Sequence, residues 1–297
     1  MSFLRRFRTP SEANEVFEAA GRALHESRLD EAEAGYRRAL DLGLETPALW
    51  FNLGLVYKFR HEWQRAVEAN RRCLELRPKG HEATWNLGVA ATAVRDWATA
   101  RSAWGDLGFP VGTTDGPPEA DFGMTPIRLN ATRDGEGEVV WGRRIDPCRA
   151  RIESIPLASS GHRWHDVVLH DVVPRGERTI DGQTRSVFDE LERMDPSTAS
   201  THVAELAWSE QDDEASLHDE LSTRSLGGED WSRTLRYICA NCSLANAHVH
   251  DGAEAPQLGV HEFALAGSTE AIVDALRAWA STGAGRRVVL TEPTLVP

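Results

Sequence analysis

PALWFNLGLVYKFRHEWQRAVEANRRCLELRPKG, residues 47–80, is the segment from which the fold of the first third of the chain can be predicted. The preceding window, ANEVFEAAGRALHESRLDEAEAGYRRALDLGLET (13–46), and the following one, HEATWNLGVAATAVRDWATARSAWGDLGFP (81–110), align with it at a period of 34 residues. One column of this alignment holds the small residues Ala32, Ala66 and Ala100, and a column four places further on holds Tyr36, Asn70 and Trp104. A fixed period of this length predicts stacked pairs of helices.

The second and third windows also share a tryptophan followed by Leu-Gly. Leu53 and Gly54 align with Leu87 and Gly88, and the two tryptophans, Trp50 and Trp85, stand one column apart. This pattern resembles the tetratricopeptide repeat (TPR), in which each unit is a pair of antiparallel helices with small residues where the helices cross. The resemblance covers three units over residues 13–110. The first unit departs most, since Ala19 and Ala20 stand where Leu-Gly is expected.

The resemblance implies a binding function, because TPR arrays hold an extended peptide or a helix on the concave face made by the first helix of each unit. The partner-binding positions implied in this way are Phe17, Phe51, Asn52, Leu55, Phe59, Trp85, Asn86 and Val89. They describe an apolar, aromatic groove suited to a hydrophobic or helical protein ligand. Two alternatives remain open: these side chains pack inside the array, or the C-terminal half of the chain covers them.

Some TPR proteins use lysine, asparagine and arginine side chains to hold the C-terminal carboxylate of a peptide, and this sequence does not match that pattern. Phe17 and Gly21 stand where a lysine and an asparagine are needed, and Glu82 and Asn86 replace the other two cations. Only Asn52 fits that pattern.

The array has no evident closing helix. After Leu107 the chain continues as GFPVGTTDGPPEADFG (108–123), which is too rich in glycine and proline to form one. Trp97 and Trp104 would then be partly exposed. We therefore expect residues 111–124 to be a linker and the C-terminal region to dock on the third unit.

The remaining chain predicts an α+β region after the helical array. Residues 125–196 contain short β-rich runs separated by turn signals such as Asp146-Pro147 and Asp181-Gly182, which predicts a small barrel or curved sheet. Residues 200–293 predict the order β-α-β-β-α-β of a ferredoxin-like domain. Its strands are placed at 201–208, 232–239, 259–267 and 286–292, its first helix at 212–228 with a stop at Gly227-Gly228, and its second helix after an N-cap at Ser268.

The connection between the second and third of these strands contains a candidate metal site. Cys239, Cys242, His248 and His250 form a C-x2-C-x5-H-x-H pattern, which offers two thiolates and two imidazoles to a tetrahedral zinc. Four protein ligands predict a structural rather than a catalytic ion. The alternatives to a zinc site are a hairpin without metal and a redox Cys-x-x-Cys pair. If one of the two histidines is not a ligand, Asp251 or His261 could replace it.

A second group of histidines, His162, His165 and His170, lies with Asp166 and Asp171 in GHRWHDVVLHD (161–171). Ordinary surface histidines are the preferred interpretation, and a metal or acid–base site is the alternative. The sequence contains no P-loop, no G-x-S-x-G elbow, no G-x-G-x-x-G turn and no H-E-x-x-H.

The overall charge restricts the function further. A net charge of −13 disfavours nucleic acid as a partner, and no apolar run is long enough for a membrane span or a secretory signal. Abundant arginine beside only two lysines suggests a GC-rich bacterial genome, so a cytoplasmic bacterial protein is expected. The first hypothesis is an adaptor that holds a protein partner in the TPR groove. The alternative is an enzyme or small-molecule sensor near His165, His170 and the Cys/His hairpin.

Overall fold

The computed structural model describes residues 10–112, 115–131, 137–180, 183–210, 212–231, 237–238 and 260–295. The chain divides into two compact units, one that ends at Ala120 and one over Asp121–Pro297. No helix within the described ranges has the length and hydrophobicity needed to cross a bilayer.

The first unit is built from three successive helical hairpins. Their helices are α1 Pro10–His25, α2 Leu29–Asp41, α3 Pro47–Phe59, α4 Trp63–Leu76, α5 His81–Ala93 and α6 Trp97–Asp106. Each hairpin turn contains one residue with positive φ, at Ser27, His61 and Arg95, and these three positions are 34 residues apart. The repeat period of the sequence is therefore also the period of the backbone.

Close contacts between the paired helices explain why the three repeat units carry small residues at equivalent positions. A Cβ added to Gly54 would lie 2.8 Å from the side chain of Asn70, and one added to Gly88 would lie 2.6 Å from the indole of Trp104. In the first hairpin the glycine is on the other helix, because a Cβ on Gly35 would lie 2.7 Å from that of Ala20. Because the glycine of this hairpin is on α2, α1 can carry Ala20 at the position where the other two units have Gly54 and Gly88.

The end of the array is covered by the residues that follow α6. Trp104 is fully buried. The ring of Phe109 lies 5.2 Å from that of Trp85 and 6.2 Å from that of Trp104, and Arg101 donates a hydrogen bond to the carbonyl of Gly116. Trp104 is therefore covered by residues of the first unit itself, while Trp97 is half-buried. Docking of the C-terminal region on the third hairpin stays a prediction.

The second unit begins with a five-stranded barrel. Its strands are β1 Met124–Arg128, β2 Gly137–Arg144, β3 Arg149–Ile152, β4 Val167–His170 and β6 Gln183–Asp195, while β5 Gly176–Ile180 forms a hairpin with β6; a short 3-10 helix lies at Ala158–Ser160. Neighbours in the order β1-β2-β3-β4-β6 are antiparallel. The parallel pairing of β1 with β6 closes the barrel, as an odd number of alternating strands requires. The barrel alternative of the prediction is confirmed.

The barrel is followed by a four-stranded antiparallel sheet with the order β11-β7-β10-β8. Its elements are β7 Ser200–Ala207, α7 Asp212–Thr223, β8 Gly227–Asp230, β10 His261–Gly267, α8 Thr269–Ser281 and β11 Arg287–Leu295. Side chains of both helices and of the sheet form one core. The predicted N-cap of α8 is confirmed, because the Ala271 N–H donates to the Ser268 hydroxyl.

Two details of the predicted order are wrong. Gly227 and Gly228 do not end α7 but begin β8, where a Cβ on Gly228 would lie 2.4 Å from Leu221. The sheet needs glycine at this close approach to α7, and the dipeptide was mistaken for a helix stop. The described part of the run 232–239, β9 Tyr237–Ile238, pairs with β2 of the barrel instead of joining this sheet.

Candidate functional site

One face of α3 carries the apolar surface of the predicted groove. Phe51, Leu55 and Phe59 are spaced four residues apart, which places them on one side of the helix over roughly 12 Å. Phe51 and Leu55 are half-buried, and Phe59 is 48% exposed. Asn52 is half-buried one position after Phe51. This surface is accessible within the first unit.

The other predicted groove residues are less accessible. Phe17 is half-buried, and its ring packs 5.6 Å from that of Tyr36. Trp85 is half-buried within the cluster formed with Trp104 and Phe109. Asn86 and Val89 are also predicted contacts, but both are buried and offer almost no surface to a ligand. The accessible part of the predicted groove is therefore centred on α3.

An ion-pair network connects the first two hairpins. The Glu33 carboxylate on α2 accepts hydrogen bonds from Arg60 and Arg65, and Arg65 also stacks on the ring of Tyr57. Burial would raise the pKa of Glu33, but the two arginine hydrogen bonds outweigh it and lower that pKa. The network ties α2 to α4 and so holds α3 in place.

The predicted zinc ligands Cys239, Cys242, His248 and His250 lie outside the described residues. Within the described ranges, no group of three or more His, Cys, Asp or Glu side chains is arranged to hold a metal ion. The candidate substitute ligand His261 lies at the start of β10. Its Nδ1 is 3.2 Å from Oδ2 of Asp230, and its ring stacks on Trp208 at 3.8 Å.

The histidines of residues 161–171 do not form one site, because each has different neighbours. His162 is buried, and its Nε2 lies 2.6 Å from Oε1 of Glu190. Burial would lower its pKa, but the hydrogen bond to Glu190 prevails and raises it. Asp166 is buried and accepts the backbone N–H groups of Arg163 and Ser197, which is a structural role.

His170 is fully buried in the barrel, where its ring lies 5.1 Å from that of Phe188. Burial first, and then the nearby Arg144 guanidinium, lower its pKa to about 4. It is therefore a neutral side chain of the barrel interior and not an accessible acid or base.

The pKa of His170 predicts acid sensitivity. The unfolded chain binds a proton at this residue below about pH 6.5, whereas the folded chain does so only near pH 4. Stability is therefore lost as the pH falls through this window, by about 2 kcal/mol between pH 7 and pH 5. Urea denaturation at both values checks this, with His170→Asn expected to reduce the pH dependence. Equal pH dependence in the two proteins would contradict it.

His165 lines a cleft of about 830 Å³ in the second unit. One wall comes from the barrel and includes Trp141, Glu153 and Trp164, and the other comes from α7 and β8. His165 has a φ of 70°, and its ring stacks on Trp164 at 3.5 Å. Sequence reasoning singled out His165 but missed Trp141, Asp219 and Glu229, because barrel closure and the position of β8 bring them to this cleft.

Taken by itself, the first unit is a short helical-repeat array of three hairpins. A curated relative, TPR repeat-containing protein PA0015 of Pseudomonas aeruginosa, is 37% identical over 92 residues, which cover 31% of this chain and 86% of that protein. The chain therefore belongs to the TPR repeat-containing proteins. No family model matches the chain.

Two solved structures are similar to about a third of this chain. Yeast Tom70 matches with a TM-score of 0.32 and 22% identity, over 35% of this chain and 21% of the Tom70 chain. The Sgt2 TPR domain from Aspergillus fumigatus matches with a TM-score of 0.31 and 20% identity, over 34% of this chain and 68% of that domain. These likenesses assign no family to the unit Asp121–Pro297.

Proposed function

We propose that this protein is an adaptor whose TPR array binds an apolar, helical segment of a protein partner. The observation that carries the proposal is the accessible stripe formed by Phe51, Leu55 and Phe59 on the first helix of the second hairpin. TPR arrays generally bind protein partners, and an amphipathic helix docks through apolar side chains at the same four-residue spacing. Asn52 supplies a polar contact beside the stripe.

Site-specific photocrosslinking tests this proposal. Benzoylphenylalanine in place of Phe59 is expected to give a discrete covalent adduct with one cellular protein, identified by mass spectrometry. The same probe at Val173, which is 65% exposed in the second unit, is the matched control and should not give that adduct. Adding Leu55→Asp should abolish the adduct at position 59. Adducts that are identical at both positions, or insensitive to Leu55→Asp, would contradict the adaptor function.

A structural zinc ion in the second unit belongs to the same proposal, with Cys239, Cys242, His248 and His250 as its ligands. The C-x2-C-x5-H-x-H pattern supports it chemically, and the segment runs between β9 on the barrel and β10 in the second sheet. Elemental analysis of the purified protein is the test, and a chain without zinc would contradict it.

The second sheet is proposed to be a ferredoxin-like domain. Its antiparallel order β11-β7-β10-β8 and the position of α7 and α8 on one side of the sheet support this assignment. That fold serves many functions and decides none by itself.

A second candidate function is a small-molecule sensor or enzyme in the second unit. The cleft of about 830 Å³ favours it, because its volume falls in the range of ligand sites, about 300–1,000 Å³. His165 is the titratable residue there that the sequence indicated. His170 does not contribute, since it is buried in the barrel.

A further inference from the structure

We infer that the cleft beside His165 binds a small organic cation with an alkylammonium or guanidinium group. The inference deepens the second candidate function and rests on it for the statement that this cleft holds a ligand. It does not depend on the TPR groove.

The charges of the lining residues favour a cation. Glu153, Asp219 and Glu229 line the cleft, and the described lining contains neither arginine nor lysine. Glu153 pairs with Arg151 at 3.0 Å and with Arg143 at 3.8 Å, so its charge is compensated and the preference for a cation depends on the opposite wall. On that wall the Asp219 carboxylate is exposed, and the Glu229 carboxylate accepts the Ile155 N–H. A phosphate or carboxylate ligand would be repelled from such a cleft.

Aromatic surfaces lie next to these carboxylates. The indole of Trp164 is held between two groups: a Cβ on Gly227 would lie 3.0 Å from it, and the imidazole of His165 covers it at 3.5 Å with an interplanar angle of 24°. His165 is therefore the outer layer of this stack. Trp141 is half-buried and lines the same wall. Because Trp164 lies between these two groups, the aromatic surface left to a ligand is that of His165 and Trp141. Cations bind to the faces of aromatic rings, as in sites for quaternary ammonium ligands.

The conformation of His165 is maintained against a backbone preference. Its φ of 70° is uncommon for a residue with a side chain, and its N–H donates to the carbonyl of Ile152 at 2.9 Å. Burial lowers the pKa of His165, so the ring is neutral at pH 7 and adds no positive charge that would oppose a cation.

The barrel wall of the cleft is firmly attached to the opposite wall. Ile155 packs against Ala264 and Ala266 of β10, and its N–H donates to Glu229 at 2.9 Å. The Glu229 carboxylate is thereby oriented by the backbone of the barrel. The dimensions of the cleft suit a small molecule, and we assign it a free ligand rather than a protein side chain.

Calorimetric titration of the full-length chain tests the inference with four probes. Choline and agmatine are the cations, 3,3-dimethylbutan-1-ol is the neutral analogue of choline, and 3,3-dimethylbutanoate is the anionic one. At least one cation is expected to bind about 10-fold more tightly than the neutral alcohol, and the anion should not bind.

Two variants locate the binding. Asp219→Asn is expected to weaken cation binding by about 3-fold or more while leaving the affinity of the neutral alcohol unchanged. Asp274→Asn is the matched control, because Asp274 is an exposed residue of α8 that does not line the cleft. It should have no effect. Trp141→Leu should weaken cation binding as well.

The outcomes separate the inference from the function on which it rests. If the neutral alcohol or the anion binds as tightly as the cations, the cation inference is overturned but a ligand cleft remains. If no probe binds, both are contradicted. If the cations bind equally to wild type and to Asp219→Asn, the assigned cleft is wrong.

Discussion

Replacing Asp189 with asparagine is expected to lower the free energy of unfolding by about 3–5 kcal/mol. Asp189 accepts two hydrogen bonds from Arg128, at 2.8 Å and 2.9 Å, where β1 pairs with β6 and closes the barrel. The side chain of Arg128 is 8% exposed, so its charge would remain buried without this carboxylate. Arg175 would lose its 3.0 Å contact with Asp189 as well.

Urea denaturation measures the loss, and hydrogen exchange at β1 and β6 locates it. Asp121→Asn is the matched control, because Asp121 pairs with Arg143 at 2.9 Å but is 64% exposed. Removing an exposed partner should cost less than about 1 kcal/mol. The double variant Arg128→Met/Asp189→Leu removes both charges and should recover most of the stability. Equal effects of the two asparagine variants would contradict the role assigned to the barrel closure.

Gly88→Ala is expected to lower the free energy of unfolding of the first unit by about 2–3 kcal/mol. The added Cβ would lie 2.6 Å from two carbon atoms of the Trp104 indole and 2.7 Å from a third. The ring is fully buried against Trp85 and Phe109, so it has no free space into which to move. Alanine normally favours a helix, and the expected loss therefore opposes the intrinsic preference.

Gly105→Ala provides the control for that substitution. Gly105 lies in α6, and the nearest atom to its added Cβ is 3.9 Å away, on Val111. This change should leave stability unchanged or raise it by up to about 1 kcal/mol. Thermal denaturation followed by circular dichroism compares the two variants. If Gly88→Ala is as stable as Gly105→Ala, the packing of the third hairpin has been misjudged.

The sequence predicted those parts of the fold that depend on local periodicity. The 34-residue period located all three hairpins, because the residue types needed where two helices pack recur at the same positions of each unit. The amphipathic stripe and N-cap of α8 were equally evident, because Ser268, Ile272 and Trp279 act within one helix. The β-rich composition of residues 125–196 indicated a barrel without indicating how its ends pair.

Features that depend on long-range pairing could not be derived from one sequence. The contact between Arg128 and Asp189 joins residues 61 positions apart, and no local pattern specifies it. The cleft likewise requires Trp141 and Glu229 to approach from two different sheets. Gly227-Gly228 was misinterpreted because glycine pairs occur both at helix ends and where strands approach a helix closely. His165 could be recognised as a candidate from the histidine-rich segment 161–171. The direction of its side chain, stacked on Trp164, could not be predicted from the sequence.

The aromatic contacts of Phe109 oppose the addition of a fourth repeat unit after the third hairpin. Repeat arrays lengthen when one unit is duplicated in frame, and the next 34-residue unit would begin at position 115. In this chain Phe109 already packs on Trp85 and Trp104, and Gly116 holds Arg101 through its carbonyl. A duplicated unit inserted there would have to displace these contacts before it gained any of its own. Lengthening at this end is therefore opposed from the first step, whereas duplication within the three units keeps the terminal packing intact.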